Sequence, residues 1–196
     1  LSASLHAAVL ATGHGAEEVE AAFGDAYGGL ALAYSRETEP AGTGGALRLA
    51  ARMLDDDPVL VMNGDSACQA SLLDFWDWHR TQGAQATVLL AHVADPGRYG
   101  RVDVDESGRV VGFVEKDTTS GPGWVSAGVY VLPGALMATV SAERPVSLER
   151  EVLPAWVGWG LYGYRSAGAF LDIGTPASYA AAGAWLGAGR EGGCAS

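Results

Sequence analysis

Apolar residues fall along this chain in short blocks of two kinds. Ala7–Ala11, Pro58–Met62 and Ala86–Val93 are continuous apolar runs, the pattern of strands buried on both faces. Leu30–Ser35 alternates apolar and small residues, and Trp124–Leu132 reads as a further strand. Helical periodicity appears at Ala46, Leu47, Ala50, Ala51 and Leu54, and again at Leu148, Val152 and Trp156 within Ser147–Trp156. Helices are also expected over Ala16–Phe23 and Ser71–Thr81; Glu17 and Glu18 suit the positive N-terminal end of the first. Tyr99–Asp103 and Arg109–Glu115, joined through Asp105–Gly108, predict a hairpin. Leu171–Gly174 ends a strand or turn. Thr175 then caps a last helix with Pro176 at its first position. Leu1–Leu5 reads as the end of a helix. Strands alternating with helices predict an α/β fold, and the hairpin makes its sheet mixed. The expected organisation is one domain over residues 1–187 and a flexible tail over 188–196, with no internal repeat.

Composition narrows the partners. A length of 196 residues suits one domain with a real core, and a net charge of −11 argues against a nucleic-acid partner, which needs a basic face. No apolar run approaches the ~20 residues of a membrane helix, so no membrane partner is expected. No basic-plus-apolar leader stands at the start, and Cys68 and Cys194 read as free thiols, so the expected location is cytoplasmic. Eleven of the 12 basic residues are arginine, which leaves Lys116 as the lone lysine.

Several residues could carry chemistry. Asp65 ends an apolar strand directly after Gly64, where ligands gather in open α/β sheets; it reads as a Mg2+ ligand or as a turn cap. Asp172 lies between Leu171 and Ile173, and reads as a second metal carboxylate or as a partner for the following helix N-terminus. The Gly-rich segment Glu39–Ala46 opens a helix, and either brings backbone N–H groups to a ligand or simply makes a turn. It matches neither the dinucleotide nor the P-loop pattern. Glu115 and Lys116 point to opposite faces of one strand end, which is also an ordinary solvated arrangement. The four histidines show no metal-ligand spacing, and Trp76, Trp78, Trp156 and Trp159 read as packing residues.

Taken in order, E-P-A-G-T-G-G-A from Glu39, V-L-V-M-N-G-D from Val59, R-Y-G-R-V from Arg98, F-V-E-K from Phe113, A-G-V-Y from Ala127, S-L-E from Ser147 and D-I-G-T-P from Asp172 resemble the sugar-phosphate nucleotidylyltransferases. The resemblance runs from about Val9 to Tyr179. It implies a Rossmann-like, GT-A-like sheet that is mixed but mostly parallel, with helices on its faces. The implied reaction joins a nucleoside triphosphate to a sugar 1-phosphate and releases pyrophosphate, with Mg2+ as cofactor. By the same resemblance Asp65 and Asp172 hold the metal, and Lys116 meets the sugar phosphate. Glu39, Gly42, Thr43, Gly44, Gly45, Asn63 and Gly64 line the nucleotide. Tyr99, Gly100, Glu115, Ser126 and Gly128 border the sugar. P-A-G-T-G-G-A-L-R-L-A and S-L-E are most similar to bacterial guanylyltransferases acting on heptose 1-phosphate, which favours GTP; mannose-1-phosphate guanylyltransferases and uridylyl or thymidylyl relatives are the alternatives.

Departures from the family pattern are Ser126 in place of Asn, Asp117 in place of Pro, and the absence of the G-G-x-G-T-R and P-K-P segments. Those segments carry a central strand and the triphosphate loop. The expectation is therefore that they precede Leu1 in a longer protein or that a partner chain fills their place; a homo-oligomer is compatible with this. The competing reading is a non-catalytic nucleotide-sugar-binding or regulatory relative.

Overall fold

A computed structural model describes residues 5–55, 57–114 and 121–191, the last six by backbone alone. In chain order the elements are β1 (Ala7–Thr12), α1 (Ala16–Phe23), β2 (Ala26–Tyr27), β3 (Leu30–Arg36), α2 (Gly42–Ala50), β4 (Val59–Met62), β5 (Ser66–Cys68) and α3 (Leu72–Gln82). There follow β6 (Ala86–Val93), β7 (Arg101–Val104), β8 (Val110–Val114), β9 (Gly123–Leu132), α4 (Gly134–Ala138), α5 (Leu153–Ala155), β10 (Leu161–Ser166), β11 (Phe170–Asp172) and α6 (Pro176–Glu191). A π-helical turn, Leu148–Val152, leads into α5. The chain divides into two compact units, Leu1–Val59 with Leu132–Trp156, and Leu60–Val131 with Val157–Ser196.

The first unit carries a three-stranded sheet in the order β1-β3-β2. β2 and β3 form a tight antiparallel hairpin, and β1 runs parallel to β3 from Ala7↔Ala31 to Thr12↔Arg36. β1 was expected to be buried, yet only Thr12 is. As an edge strand it has a partner on one side only. α2 is covered on one face, with Gly44, Gly45, Leu47 and Ala50 buried. It starts at Gly42, so the glycines form its first turn and not a loop ahead of it. From the return segment, Leu136, Met137, Val146, Leu148, Val152 and Leu153 are also buried.

The second unit is built on a four-stranded sheet, β10-β6-β9-β4. β6 is its spine and is buried from Ala86 to Ala91, as a strand with a neighbour on each side should be. β10 runs parallel to it and β9 antiparallel. β4 departs from expectation: only Val59 is buried and Met62 is 55% exposed, because this strand is at the sheet edge. Phe75 from α3 packs with Leu89, Ala91, Val125, Ala127, Val129 and Val131. Ser71 caps α3 by accepting from Asp74 N–H at 3.1 Å. The hairpin β7–β8 turns where the Asp105 carboxylate accepts from Ser107 N–H, Ser107 Oγ–H and Arg109 N–H. These bonds, that from the Ser107 hydroxyl foremost, hold Asp105 below the usual carboxylate range.

Among the ladders with a defined register, only β1–β3 and β6–β10 are parallel. The sheets are mixed as expected: the hairpins β2–β3 and β7–β8 and the long-range pairs β6–β9 and β5–β11 are antiparallel. α6 opens as expected, with Ser178 N–H donating to Thr175 Oγ1, and runs to Glu191. Trp78 packs edge-on against Tyr162 and Tyr164, but Trp159 is 74% exposed and does not pack as expected. Among the described residues no helix is long and apolar enough to cross a membrane.

Candidate functional site

The Asn63–Gly64–Asp65 turn joins β4 to β5 and is held from two sides. On one, Asn63 N–H donates to Gly128 O at 2.8 Å and Ser66 Oγ–H donates to Ala127 O at 3.2 Å. On the other, Ile173 N–H donates to Asp65 O at 2.8 Å. β5 and β11 pair antiparallel with Ser66 opposite Asp172. Ser66 thus faces Asp172 and Asp65 faces Ile173, so the backbones of Asp65 and Asp172 are adjacent although they lie 107 positions apart in sequence (172 − 65). Asp65 is exposed at the turn, and Asp172 is half-buried with Oδ1 accepting Gly174 N–H at 2.7 Å.

This donor set fits Mg2+. Two carboxylates stand on adjacent segments, and among the described residues neither makes an ion pair. Magnesium takes one or two protein carboxylates and completes its shell with water and phosphate oxygens. No group of three or more His, Cys, Asp or Glu suited to a metal occurs among the described residues, so an all-protein cage is not on offer.

In the first unit, the nucleotide-side residues are engaged with their own fold. Gly42 has φ +74°, and a Cβ there would lie 2.5 Å from Val146 O. Gly44 N–H donates to that same carbonyl at 2.9 Å, while Val146 N–H donates to Ala41 O at 2.8 Å. A Cβ on Gly45 would meet Ala41 Cβ at 2.6 Å. The Gly44 amide, read from sequence as available to a ligand, is thus committed to Val146. Thr43 Oγ1 donates to Glu149 Oε2 and accepts from Leu148 N–H, both at 2.9 Å. Its hydroxyl ties α2 to the turn of the S-L-E motif. Glu39 is exposed in the bend before α2.

On the sugar side, Tyr99 packs edge-on against Phe170, with the Arg98 guanidinium 5.5 Å from its ring centroid. Gly100 takes φ +86° and donates N–H to Pro96 O at 3.0 Å. Ser126 Oγ donates to the Tyr130 hydroxyl at 3.0 Å and accepts from Gly128 N–H at 3.2 Å. Gly64 has no atom within 4 Å of where a Cβ would stand. Glu115 and Lys116 lie outside the described residues, as does Cys194. Cys68 is a free thiol pushed upward by burial. Sequence reasoning missed Ser66, Val146 and the structural use of Glu149. Only the first had a local signal, its place directly after N-G-D.

Comparison with known proteins gives a consistent picture. Residues 1–187 match the family model described as Nucleotidyl transferase. The chain is 37% identical over 182 residues to a mannose-1-phosphate guanylyltransferase of Mycobacterium tuberculosis, covering 91% of this chain and 51% of that protein. It is 34% identical over 172 residues to the D-glycero-alpha-D-manno-heptose 1-phosphate guanylyltransferase of Aneurinibacillus thermoaerophilus, covering 87% and 74%. The crystal structure of HddC from Yersinia pseudotuberculosis superposes with a TM-score of 0.81 at 25% identity, over 94% of this chain and 80% of that one. The same protein complexed with GMP-PN gives 0.77, over 91% and 77%. The chain spans about half the length of the mannose-1-phosphate guanylyltransferase from M. tuberculosis. With the family pattern matched from residue 1 to residue 187 and the mixed α/β fold shared with solved relatives, the chain belongs to the nucleotidyl transferase family.

Proposed function

We propose that this protein transfers a guanylyl group from GTP to a sugar 1-phosphate, giving a GDP-sugar and pyrophosphate, in the cytoplasm. The observation that carries the proposal is the Asp65 turn, clamped beside Asp172 by β9 on one side and β11 on the other. A phosphate oxygen of the sugar 1-phosphate attacks the α-phosphorus of GTP. The bond from that phosphorus to the bridging oxygen breaks, and pyrophosphate leaves with the electron pair. Asp65 and Asp172 would hold Mg2+, which when bound neutralises phosphate charge. The chain's own residues supply placement. Lys116 meets the incoming sugar phosphate, and Glu115, Tyr99, Gly100, Ser126 and Gly128 border the sugar. Glu39, Asn63, Gly64 and the first turn of α2 from Gly42 to Gly45 serve the nucleotide, with Gly42 and Gly44 acting by seating that turn on the Val146 backbone and Thr43 by bracing it.

Guanine and the manno configuration are favoured by the relatives named for mannose 1-phosphate and for a manno-heptose 1-phosphate. Heptose is the first choice, because the P-A-G-T-G-G-A-L-R-L-A and S-L-E runs resemble that group most. The test is pyrophosphate release with GTP, ATP, UTP and dTTP against heptose, mannose and glucose 1-phosphates. GTP with a manno-configured sugar should give the highest kcat/KM. Asp65→Asn should lower kcat by about 100-fold or more while the far-UV circular dichroism is retained, in line with losing a main electrostatic group. Turnover of Asp65→Asn at the parent rate would refute the metal role.

A further inference from the structure

The Asp65 carboxylate makes no hydrogen bond or ion pair to any described residue, so what the fold fixes is the backbone from which it projects. Two features of the adjoining strand set that backbone. The β6–β9 ladder shifts register, with Val88 opposite Tyr130 but Leu90 opposite Ser126. One β6 residue, Leu89, therefore faces three of β9, Ala127 to Val129. Gly128 at the centre of this irregular stretch has φ +74°, and a Cβ there would stand 2.3 Å from Ser66 Oγ and 3.1 Å from Asn63 Cβ. The Ser66 hydroxyl occupies the space that a side chain on Gly128 would take. From that place it donates to Ala127 O. Ser66 is also the residue directly opposite Asp172.

We infer that Ser66 is a positioning residue for the ion-binding pair: its hydroxyl, seated on the Ala127–Gly128 bulge, aims the Asp65 carboxylate relative to Asp172. This rests on the reading of those two carboxylates as Mg2+ ligands. Outer groups that orient metal ligands typically alter affinity by about 10–100-fold when removed. Ser66→Ala deletes the hydroxyl and leaves Asp65, Asp172 and the β5–β11 ladder in place. Ser66→Thr keeps the hydroxyl on a residue that suits a strand.

The experiment is a Mn2+ titration of the protein without nucleotide, followed by the electron paramagnetic resonance of the free ion. It is paired with the Mg2+ concentration for half-maximal pyrophosphate release. Ser66→Ala is expected to weaken Mn2+ binding about 10-fold and to raise the Mg2+ half-saturation by a similar factor. KM for the sugar 1-phosphate should be unchanged, and Ser66→Thr should behave as the parent. Parent-like Mn2+ binding by Ser66→Ala overturns the inference, as does equal impairment of Ser66→Ala and Ser66→Thr. Asp65→Asn is measured alongside. If it binds Mn2+ as tightly as the parent, the underlying metal reading is what has failed; if it loses Mn2+ while Ser66→Ala does not, only the role of Ser66 has.

Discussion

His79 shows how much one side chain's surroundings can decide. Its Nδ1 lies 2.7 Å from Thr87 Oγ1, and both residues are buried. Burial holds the imidazole below its ordinary value. The unfolded chain takes up this proton at about pH 6.5, while the folded one takes it up only at lower pH. Below about pH 6.5 the unfolded state therefore binds more protons, and stability is lost as pH falls through that window. Urea midpoints should drop between pH 7.5 and 5.5, and the drop should be smaller in His79→Gln, which has no proton to take up. An identical pH dependence in the two proteins would show that His79 does not contribute. Residue-scale facts of this kind were legible in part. Asp65, Gly64 and Asp172 stood out because a charge or a glycine interrupts an apolar run. The commitment of Thr43 to Glu149 and Leu148 did not, because it depends on residues 105 and 106 positions away.

The Gly-rich run at the start of α2 has a structural task of its own. Sequence reasoning left its glycines to a ligand or to a simple turn, and the fold uses Gly42 and Gly44 to let α2 approach the Val146 backbone. Gly42→Ala would combine a positive φ with a contact to a carbonyl oxygen that cannot swing away. The expected loss is about 2–4 kcal/mol by chemical denaturation. Gly64→Ala, with open space around it, should stay within about 0.5 kcal/mol of the parent. If Gly42→Ala instead raised KM for GTP with no loss of stability, the structural reading of that glycine would fail. The major helices and strands were legible because they carry a helical or alternating period or, as in β1, β4 and β6, a continuous apolar run. β5 escaped, and β11 was legible only as the end of a strand or turn, for a physical reason: three residues each, S-A-C and F-L-D, are too few to show a period. β10 escaped because Gly163 interrupts its aromatic pattern. The β5–β11 pair is the one that brings the Asp65 and Asp172 backbones side by side, so the motif was visible while the pairing that gives it meaning was not.

At the scale of the whole molecule, the charge of −11 adds repulsion between copies at neutral pH. As pH falls into the carboxylate range, about 4–5, that repulsion fades. Solubility should then pass through a minimum, recovering with further acid or on return to neutral pH, and light scattering across a pH series would detect it. A constant scattering signal from pH 7 to pH 4 would contradict this. Fold class and family were legible from the order of seven short motifs. The division into two compact units was not, because the crossings at 59–60, 131–132 and 156–157 carry no linker composition.

Each of those units is assembled from two stretches of chain separated by the other's residues. The ribosome therefore delivers neither in one piece. Thr43 emerges 106 residues ahead of the Glu149 that its hydroxyl grips. At ~5–20 residues per second, that interval is roughly 5–20 s. During it, the N-terminal end of α2 must wait with its Val146 and Leu148 contacts unmade. A nascent chain stalled before residue 146 should leave Gly44 N–H in rapid exchange with solvent, and one released after residue 152 should protect it.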